Sequence, residues 1–294
     1  MTSSDVLIIG AGVSGLLLGS HLKNKAIILE KSRGVGGRIA NRRVEDLGFD
    51  HGAPYLADDP LVRETLVEFG LEGEVQNDSQ GIFLLNSMTR FPKELTQDLI
   101  IKKSTRAEII SRTNESWKVT CDNGEIYEST TLVITAPLPQ ALELLDKNNL
   151  SYSAELKTVT FIKAVMALII TSDGALPDLP TNSLTHSILP MKLRNLHPSG
   201  FIIRATPEAS DRLFDSSDEM ILKELESNFL ATYSNQPVIE YRELKKWRYV
   251  TPTTSLPYPF LEVQENLFLV GDAFSSPDVR GSILGALLLA EKLS

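Results

Sequence analysis

Cysteine is almost missing. Cys121 is alone in 294 residues, so no internal disulfide and no multi-cysteine zinc or iron–sulfur site can form. Histidine is scarce as well: four scattered residues do not make a histidine-rich metal centre, and no metal is expected. No apolar run approaches the ~20 residues that span a bilayer. The strand that starts near Val6 is expected to leave no room for a signal peptide, and the expected compartment is the cytoplasm. Positive charge is in deficit, with 29 Lys and Arg against 38 Asp and Glu, a net charge of −9. Nucleic acid and anionic membranes are polyanions, so neither is an expected partner. What is present is a globular composition, 42% hydrophobic and 23% charged, long enough for one large domain or two ordinary ones. No internal repeat or low-complexity tract occurs, and nothing fixes the oligomeric state.

The N-terminus is the most informative stretch. Asp5-Val-Leu-Ile-Ile9 is a continuous apolar run, as in a parallel strand buried on both faces. Gly10-Ala-Gly12-Val-Ser-Gly15 follows, then an apolar helix opening at Val13, then a second buried strand, Ala26-Ile-Ile-Leu-Glu30, ending in an acid. Strand, glycine turn, helix, strand and acid are the parts of a dinucleotide site in chain order. Gly10 permits the tight turn, Gly12 lets a pyrophosphate reach the backbone, and Gly15 lets the helix pack on the strand. The amides of Val13 and Ser14 then sit at the positive helix end that favours phosphate. Glu30 is placed to accept from the hydroxyls of an adenosine ribose, each bond contributing roughly 1.5–3 kcal/mol.

A second glycine cluster follows at once, in Glu30-Lys31-Ser-Arg-Gly34-Val-Gly36-Gly37-Arg38. A simple NAD site does not need it. The stretch resembles the FAD fingerprint of the flavin amine oxidase superfamily, where an acid leads into Gly-Gly-Arg. The resemblance implies that Lys31 lies beside the nucleotide, that Gly36 and Gly37 bring a second turn onto the pyrophosphate, and that Arg38 offers a cationic fork. Asp50-His51-Gly52-Ala53-Pro54-Tyr55 is similar to the segment passing beside the flavin ring. Gly52, Ala53 and Pro54 would lie against the isoalloxazine and Tyr55 near the substrate; His51 reads as structural. At the other end, the strand Asn266–Val270, then Gly271-Asp272, then Val279-Arg-Gly281-Ser282-Ile283 opening a helix to Leu293, match the part that holds the ribityl chain. That helix would point its positive end at the flavin and stabilise an anionic reduced form.

The middle of the chain reads as strands at 106–111, 117–121, 125–127 and 131–135, with a hairpin turn at Asp122-Asn-Gly124 and a helix over 138–147. This is similar to the meander on the adenine side, which places Ala107 and Glu108 near the adenine. Further strands are expected at 159–170, 201–204 and 238–249, and a helix at 218–233. The fold class is therefore α/β: a Rossmann-type FAD-binding domain interleaved with an α+β substrate domain, an amine oxidase/hydroxylase-like two-domain flavoprotein. The FAD domain is expected to take residues 1–57, 97–157 and 255–294, and the substrate domain 58–96 and 158–254.

Ile203-Arg-Ala-Thr-Pro-Glu-Ala-Ser210 and Lys246-Trp247-Arg248-Tyr249 narrow the resemblance to the renalases. Lys245, Pro54 and Leu284 stand where that branch has His, Gln and Ser. The resemblance implies noncovalent FAD, a 2- or 6-dihydro isomer of NAD(P)H as hydride donor to flavin N5, and O2 as acceptor, giving NAD(P)+ and H2O2. Positioning would then supply most of the catalysis. Tyr55, Trp247, Arg248 and Arg204 are the substrate-side candidates, with Lys192, Arg194, Lys245 and Lys246 as further cations for a phosphate-bearing substrate. The other readings are an oxidase of small amines, a desaturase or porphyrinogen oxidase, and a protein that holds FAD without turnover.

Overall fold

The computed structural model describes residues 2–44, 46–113, 115–178 and 183–294. The chain enters on β1 (Thr2–Ile9), turns into α1 (Val13–Leu22) and returns on β2 (Ala26–Glu30), buried along its whole length. A hairpin of β3 (Arg42–Val44) and β4 (Leu47–Phe49) precedes α2 (Pro60–Glu68), which starts cleanly because Pro60 sits at its head and Asp59 accepts from the Leu61 amide. The hairpin β5 (Val75–Asp78) and β6 (Gly81–Leu84) and the short α3 (Arg90–Glu94) lead to β7 (Ile100–Lys103). The meander β8 (Ala107–Arg112), β9 (Trp117–Cys121) and β10 (Ile126–Ile134) ends in α4 (Leu138–Lys147). Next come β11 (Ala164–Thr171), β12 (Thr185–Pro190), β13 (Gly200–Ala205), α5 (Pro207–Leu213), α6 (Asp218–Leu230) and β14 (Ile239–Trp247). The chain closes with β15 (Phe260–Gln264), β16 (Leu267–Val270) and α7 (Val279–Leu293).

Two sheets organise these elements. The larger has the order β15-β16-β10-β1-β2-β7, with β9 and β8 continuing from β10. Its central pairs, β7/β2, β2/β1, β1/β10 and β10/β16, are parallel. From β1 the chain builds outward to β2 and β7, then crosses back to add β10 and β16 on the other side. The carboxyl end of β1 is thus the switch point, where open α/β sheets bind ligands. Helices α1 and α7 cover one face with Leu16, Leu17, Ile283 and Leu289. On the other face α4 packs Leu138, Leu142 and Leu145.

The smaller sheet is antiparallel, in the order β12-β13-β11-β14. Its central strand, AVMALIIT, lacks polar alternation because both faces are buried. Val165, Ala167 and Ile169 face α5 and α6, while Met166, Leu168 and Ile170 face Phe49 of β4. The segment from Phe49 to Tyr55 therefore runs between the two sheets.

Three expectations change. The separate strands at 125–127 and 131–135 are one strand, β10, paired with β9 along its first half and β16 along its second. The strand expected from 159 begins at Ala164, because Ile162 bonds the Thr251 and Val250 backbone instead of a neighbouring strand. The stretch 58–96, expected with the substrate part, packs Val62, Leu66, Leu84 and Phe91 into the same core as α1 and α7.

Candidate active site

The three N-terminal glycines do different work. Gly10 has φ +112°, which ordinary side chains rarely adopt. A Cβ on Gly15 would collide with the Gly10 carbonyl. Gly12 has an ordinary φ of −78°, and a Cβ built on it meets nothing within 4 Å. Neither backbone conformation nor internal packing demands glycine there. Gly12 is also the N-cap of α1, which has no side-chain cap and no acid in its first turn. Helices α2, α5, α6 and α7 are each capped by a side chain. The Val13 and Ser14 amides thus stand at an uncompensated positive end beside open space, which fits a bound anion.

The second glycine turn lies against the first. The Gly36 amide donates to the Ala11 carbonyl at 2.8 Å, and a Cβ on Gly37 would come within 3.2 Å of the Gly12 Cα. Buried Glu30 accepts from the Ala11 amide at 2.8 Å and the Ser32 amide at 2.7 Å, one bond to each oxygen. A carboxylate has about four lone-pair directions, so it can still accept from two ribose hydroxyls. The Thr105 amide bonds the Glu30 carbonyl at 2.9 Å; beyond it Ala107 pairs with Cys121, and the Glu108 carbonyl accepts from Asn148 Nδ2 at the end of α4. Lys31 is exposed and its Nζ donates to Gln140 Oε1 at 3.1 Å.

Arg38, expected as a cationic fork for the pyrophosphate, is already engaged by protein groups. Its guanidinium grips Asp272 at 2.6 and 2.7 Å and donates to the Val250 carbonyl at 3.1 Å. Two of its five N–H donors stay uncommitted. The pair ties together positions 234 residues apart, so the second glycine turn and the Gly271-Asp272 corner form one unit.

The reason for a small residue at position 52 also changes. A Cβ on Gly52 would strike the backbone of Arg38 and Ala40, whose carbonyls accept from the Ala53 and Gly52 amides. Gly52 is small to pair with that backbone. Likewise Gly281 is small because the carbonyls of Phe274 and Ser276 crowd it. Ile283 buries its side chain in the core and Ser282 is buried beside it, while Arg280 reaches out to Asp59 at 2.9 Å. Val279 opens that helix behind Asp278, whose carboxylate accepts from the Arg280 amide at 2.8 Å. A negative charge on the helix head opposes the dipole effect expected for a reduced flavin.

The substrate-side candidates separate by the parity of β14. Ala164 pairs with Trp247 and Met166 with Lys245, so both side chains lie on the face turned toward β4. Trp247 stacks on His51 with centroids 5.6 Å apart, and its Nε1 donates to the His51 carbonyl at 3.1 Å. Lys246 and Arg248 go the other way. Lys246 reaches the Phe214 carbonyl and Asp218, and the Arg248 guanidinium lies 4.9 Å from the Phe214 ring. Arg248 is therefore withdrawn as a substrate-side residue: it sits over α5, behind the sheet.

The Tyr55 hydroxyl donates to Asp78 at 2.9 Å, and burial, then Asp78, raises its pKa. Buried Arg194 lies 4.8 Å from the Tyr55 ring and 4.5 Å from the Phe83 ring, and donates to the Pro54 carbonyl at 2.7 Å. Sequence reasoning named Arg194 only as one cation among several. Its role comes from long-range packing that no local pattern signals. Arg204 faces the same side, opposite Met166. Burial, then Arg194, lowers it to about 10. His51 is lowered to about 4 by burial and Lys245. Asp50, quoted only as part of a motif, is buried and accepts from Asn41, Ser87 and the Met88 amide at 2.7–2.9 Å, pinning the segment that carries Tyr55.

A family of NAD(P)-binding Rossmann-like domains matches residues 8–69, the stretch holding both glycine turns. Solved structures match over the whole chain. A protein assigned as a protoporphyrinogen oxidase from an Exiguobacterium species has 13% identity and a TM-score of 0.73, with 100% of this chain and 99% of that one covered. A putrescine oxidase redesigned in its cofactor binding has 10% identity and a TM-score of 0.70, with 99% of each chain covered. A CLA-producing fatty acid isomerase from P. acnes has 12% identity and a TM-score of 0.68, with 98% of each covered. The chain therefore shares the fold of these proteins, a Rossmann-like nucleotide-binding part joined to a second, antiparallel sheet. Among the described residues no helix is long and apolar enough to cross a membrane, and no group of His, Cys, Asp or Glu is arranged to hold a metal.

Proposed function

We propose that this chain is an FAD-dependent oxidoreductase of the flavin amine oxidase superfamily, and that its substrate is renalase-like: a 2- or 6-dihydro isomer of NAD(P)H that leaves as NAD(P)+. The observation that carries the cofactor is Gly12, a glycine required by neither conformation nor packing, at an uncapped helix with a second glycine turn against it. FAD, when bound, supplies a two-electron acceptor that O2 can reoxidise with release of H2O2.

The residues divide the work. Glu30 would hold the ribose, and the amides of Val13 and Ser14 with the Gly36-Gly37 turn would hold the phosphates. Arg38 fixes Asp272, which would hold the ribityl chain. Trp247, His51 and Tyr55 form the wall against which the donor ring is positioned. Loss of hydride leaves that ring an aromatic pyridinium, so no proton has to be abstracted. The groups on the wall suit this: His51, held near 4, is a weak base at neutral pH, and raised Tyr55 stays a phenol. Orientation is then the main contribution of the protein.

Purified protein should be yellow, and its flavin should be released on denaturation. Anaerobic mixing with 6-dihydro-NAD should bleach it, while simple amines should not. Bleaching by amines alone would replace the renalase-like substrate with an amine. Bleaching by neither, with FAD bound, would leave a flavin-binding protein without this turnover.

A further inference from the structure

One row of side chains crosses the face of the smaller sheet. Ser187, Arg204, Met166 and Lys245 are direct neighbours on successive strands β12, β13, β11 and β14, so all four point to the side where Phe49–Tyr55 runs. Arg204 and Lys245 are two strand spacings apart, about 10 Å. Lys245 is neutralised: its Nζ donates to Glu243 at 2.6 Å, and Glu243 also accepts from Tyr241 at 2.6 Å and Arg42 at 3.0 Å. Arg194 is held by the Pro54 carbonyl and two aromatic rings.

Arg204 differs from both. It is half-buried, and among the described residues it has no ion pair and no hydrogen bond; the titratable groups beside it are Arg194 and the neutral phenol of Tyr55. Around this row four cations, Arg42, Arg194, Arg204 and Lys245, face two carboxylates, Glu243 and Asp78. A chain of net charge −9 has thus gathered an excess of positive charge at one face of the smaller sheet, with Arg42 at its exposed edge. A half-buried guanidinium without an anionic partner costs stability, since desolvation is uncompensated. A ligand oxyanion would supply the missing partner bidentately.

We infer that Arg204, backed by Arg194, is an anchor for an oxyanion, a phosphate or carboxylate, carried by the molecule whose ring lies against Trp247. The inference rests on the reading of this face as the substrate side and gives recognition of the substrate's anionic group to one residue. Cationic amines would meet two arginines at the same place.

The test uses the whole protein and follows tryptophan fluorescence, to which Trp117 and Trp247 both contribute, on addition of nicotinamide mononucleotide or nicotinamide riboside, which differ by one phosphate. The wild type should bind the mononucleotide at least ten-fold more tightly. R204Q should bring the two within about two-fold, and R204K should keep part of the difference. Competition by inorganic phosphate or by benzoate then identifies the oxyanion as phosphoryl or carboxylate. Equal binding of mononucleotide and riboside by the wild type, an undiminished difference in R204Q, or displacement by neither competitor would overturn the assignment. Should R204Q yield no folded protein, R204K decides, an unchanged preference counting against the anchor. Flavin content, read by visible absorbance, is independent: phosphate preference without flavin leaves the anchor and removes the oxidoreductase, and flavin without preference does the reverse.

Discussion

Gly12→Ala and Gly15→Ala differ by three positions and should fail in opposite ways. At Gly12 the backbone, φ −78° and ψ −178°, suits alanine, and the added methyl meets no protein atom within 4 Å. Alanine is a poorer N-cap than glycine, by up to about 1 kcal/mol. It also restricts the unfolded chain, a gain of about 0.4–1 kcal/mol. The two nearly cancel, so the melting temperature of flavin-free protein should move by no more than roughly 2–4 °C. The methyl does fill the space where a pyrophosphate would reach the helix amides. Losing one hydrogen bond to a charged acceptor, roughly 1.5–3 kcal/mol, should weaken FAD about ten- to hundred-fold. At Gly15 the methyl would strike the Gly10 carbonyl and lie 2.9 Å from Thr135 Oγ1, so backbone must move. Overpacking of that kind costs about 1–3 kcal/mol or more, paid in folding before any ligand arrives. Thermal melts of flavin-free protein and FAD titration by fluorescence quenching separate the effects; bound flavin would add its own stability and hide the first. A Gly12→Ala protein that binds FAD like the wild type, or that loses as much stability as Gly15→Ala, would refute the argument.

Four further outcomes follow from the geometry. The Arg38–Asp272 pair, with side chains 26% and 8% exposed, should show a coupling of roughly 1–3 kcal/mol in an R38Q/D272N double-mutant cycle measured by urea unfolding, and strictly additive effects would deny the pairing. His51, near 4 against an ordinary 6.5, makes the folded state bind fewer protons than the unfolded chain, so stability present above pH 6.5 should fall as pH drops toward 4, by at most about 3 kcal/mol and less for a half-buried ring; H51Q should flatten that limb. Burial alone would raise Glu243, but hydrogen bonds from Lys245, Tyr241 and Arg42 bring it to about 2, so its contribution should be lost in a lower window, from about 4.5 toward 2. The Cys121 thiol, pushed up to about 11 by burial, should resist alkylation at pH 8 until the protein is unfolded.

The nucleotide half was legible because its demands are local. A turn that needs positive φ, a helix head beside open space and an acid at a strand end each leave a residue type at a fixed spacing, as at Gly10, Gly12 and Glu30. The strand β11 was legible as apolar, yet its start was not, because Ile162 is diverted by a backbone partner far along the chain. The substrate face was half legible. Trp247 and Arg248 were both offered as candidates, although neighbours at a strand end point to opposite sides, and parity alone would have allowed only one. Arg194 lies in a short turn with no pattern of its own, and only packing against Tyr55 and Phe83 gives it a place.

The order of strands in the larger sheet has a consequence for biogenesis. β1 sits in the middle, flanked by β2, made at once, and by β10, whose residues lie more than a hundred positions later. At the usual pace of translation, 5–20 residues per second, the Val6–Ile9 edge waits on the order of ten seconds for its second partner. Asp272 comes later still, so Arg38 leaves the ribosome long before its counter-charge exists. A nascent chain would therefore present an apolar, unpaired strand during synthesis, a natural target for chaperones, and truncations before β16 should be cleared by proteases rather than accumulate as half-sites.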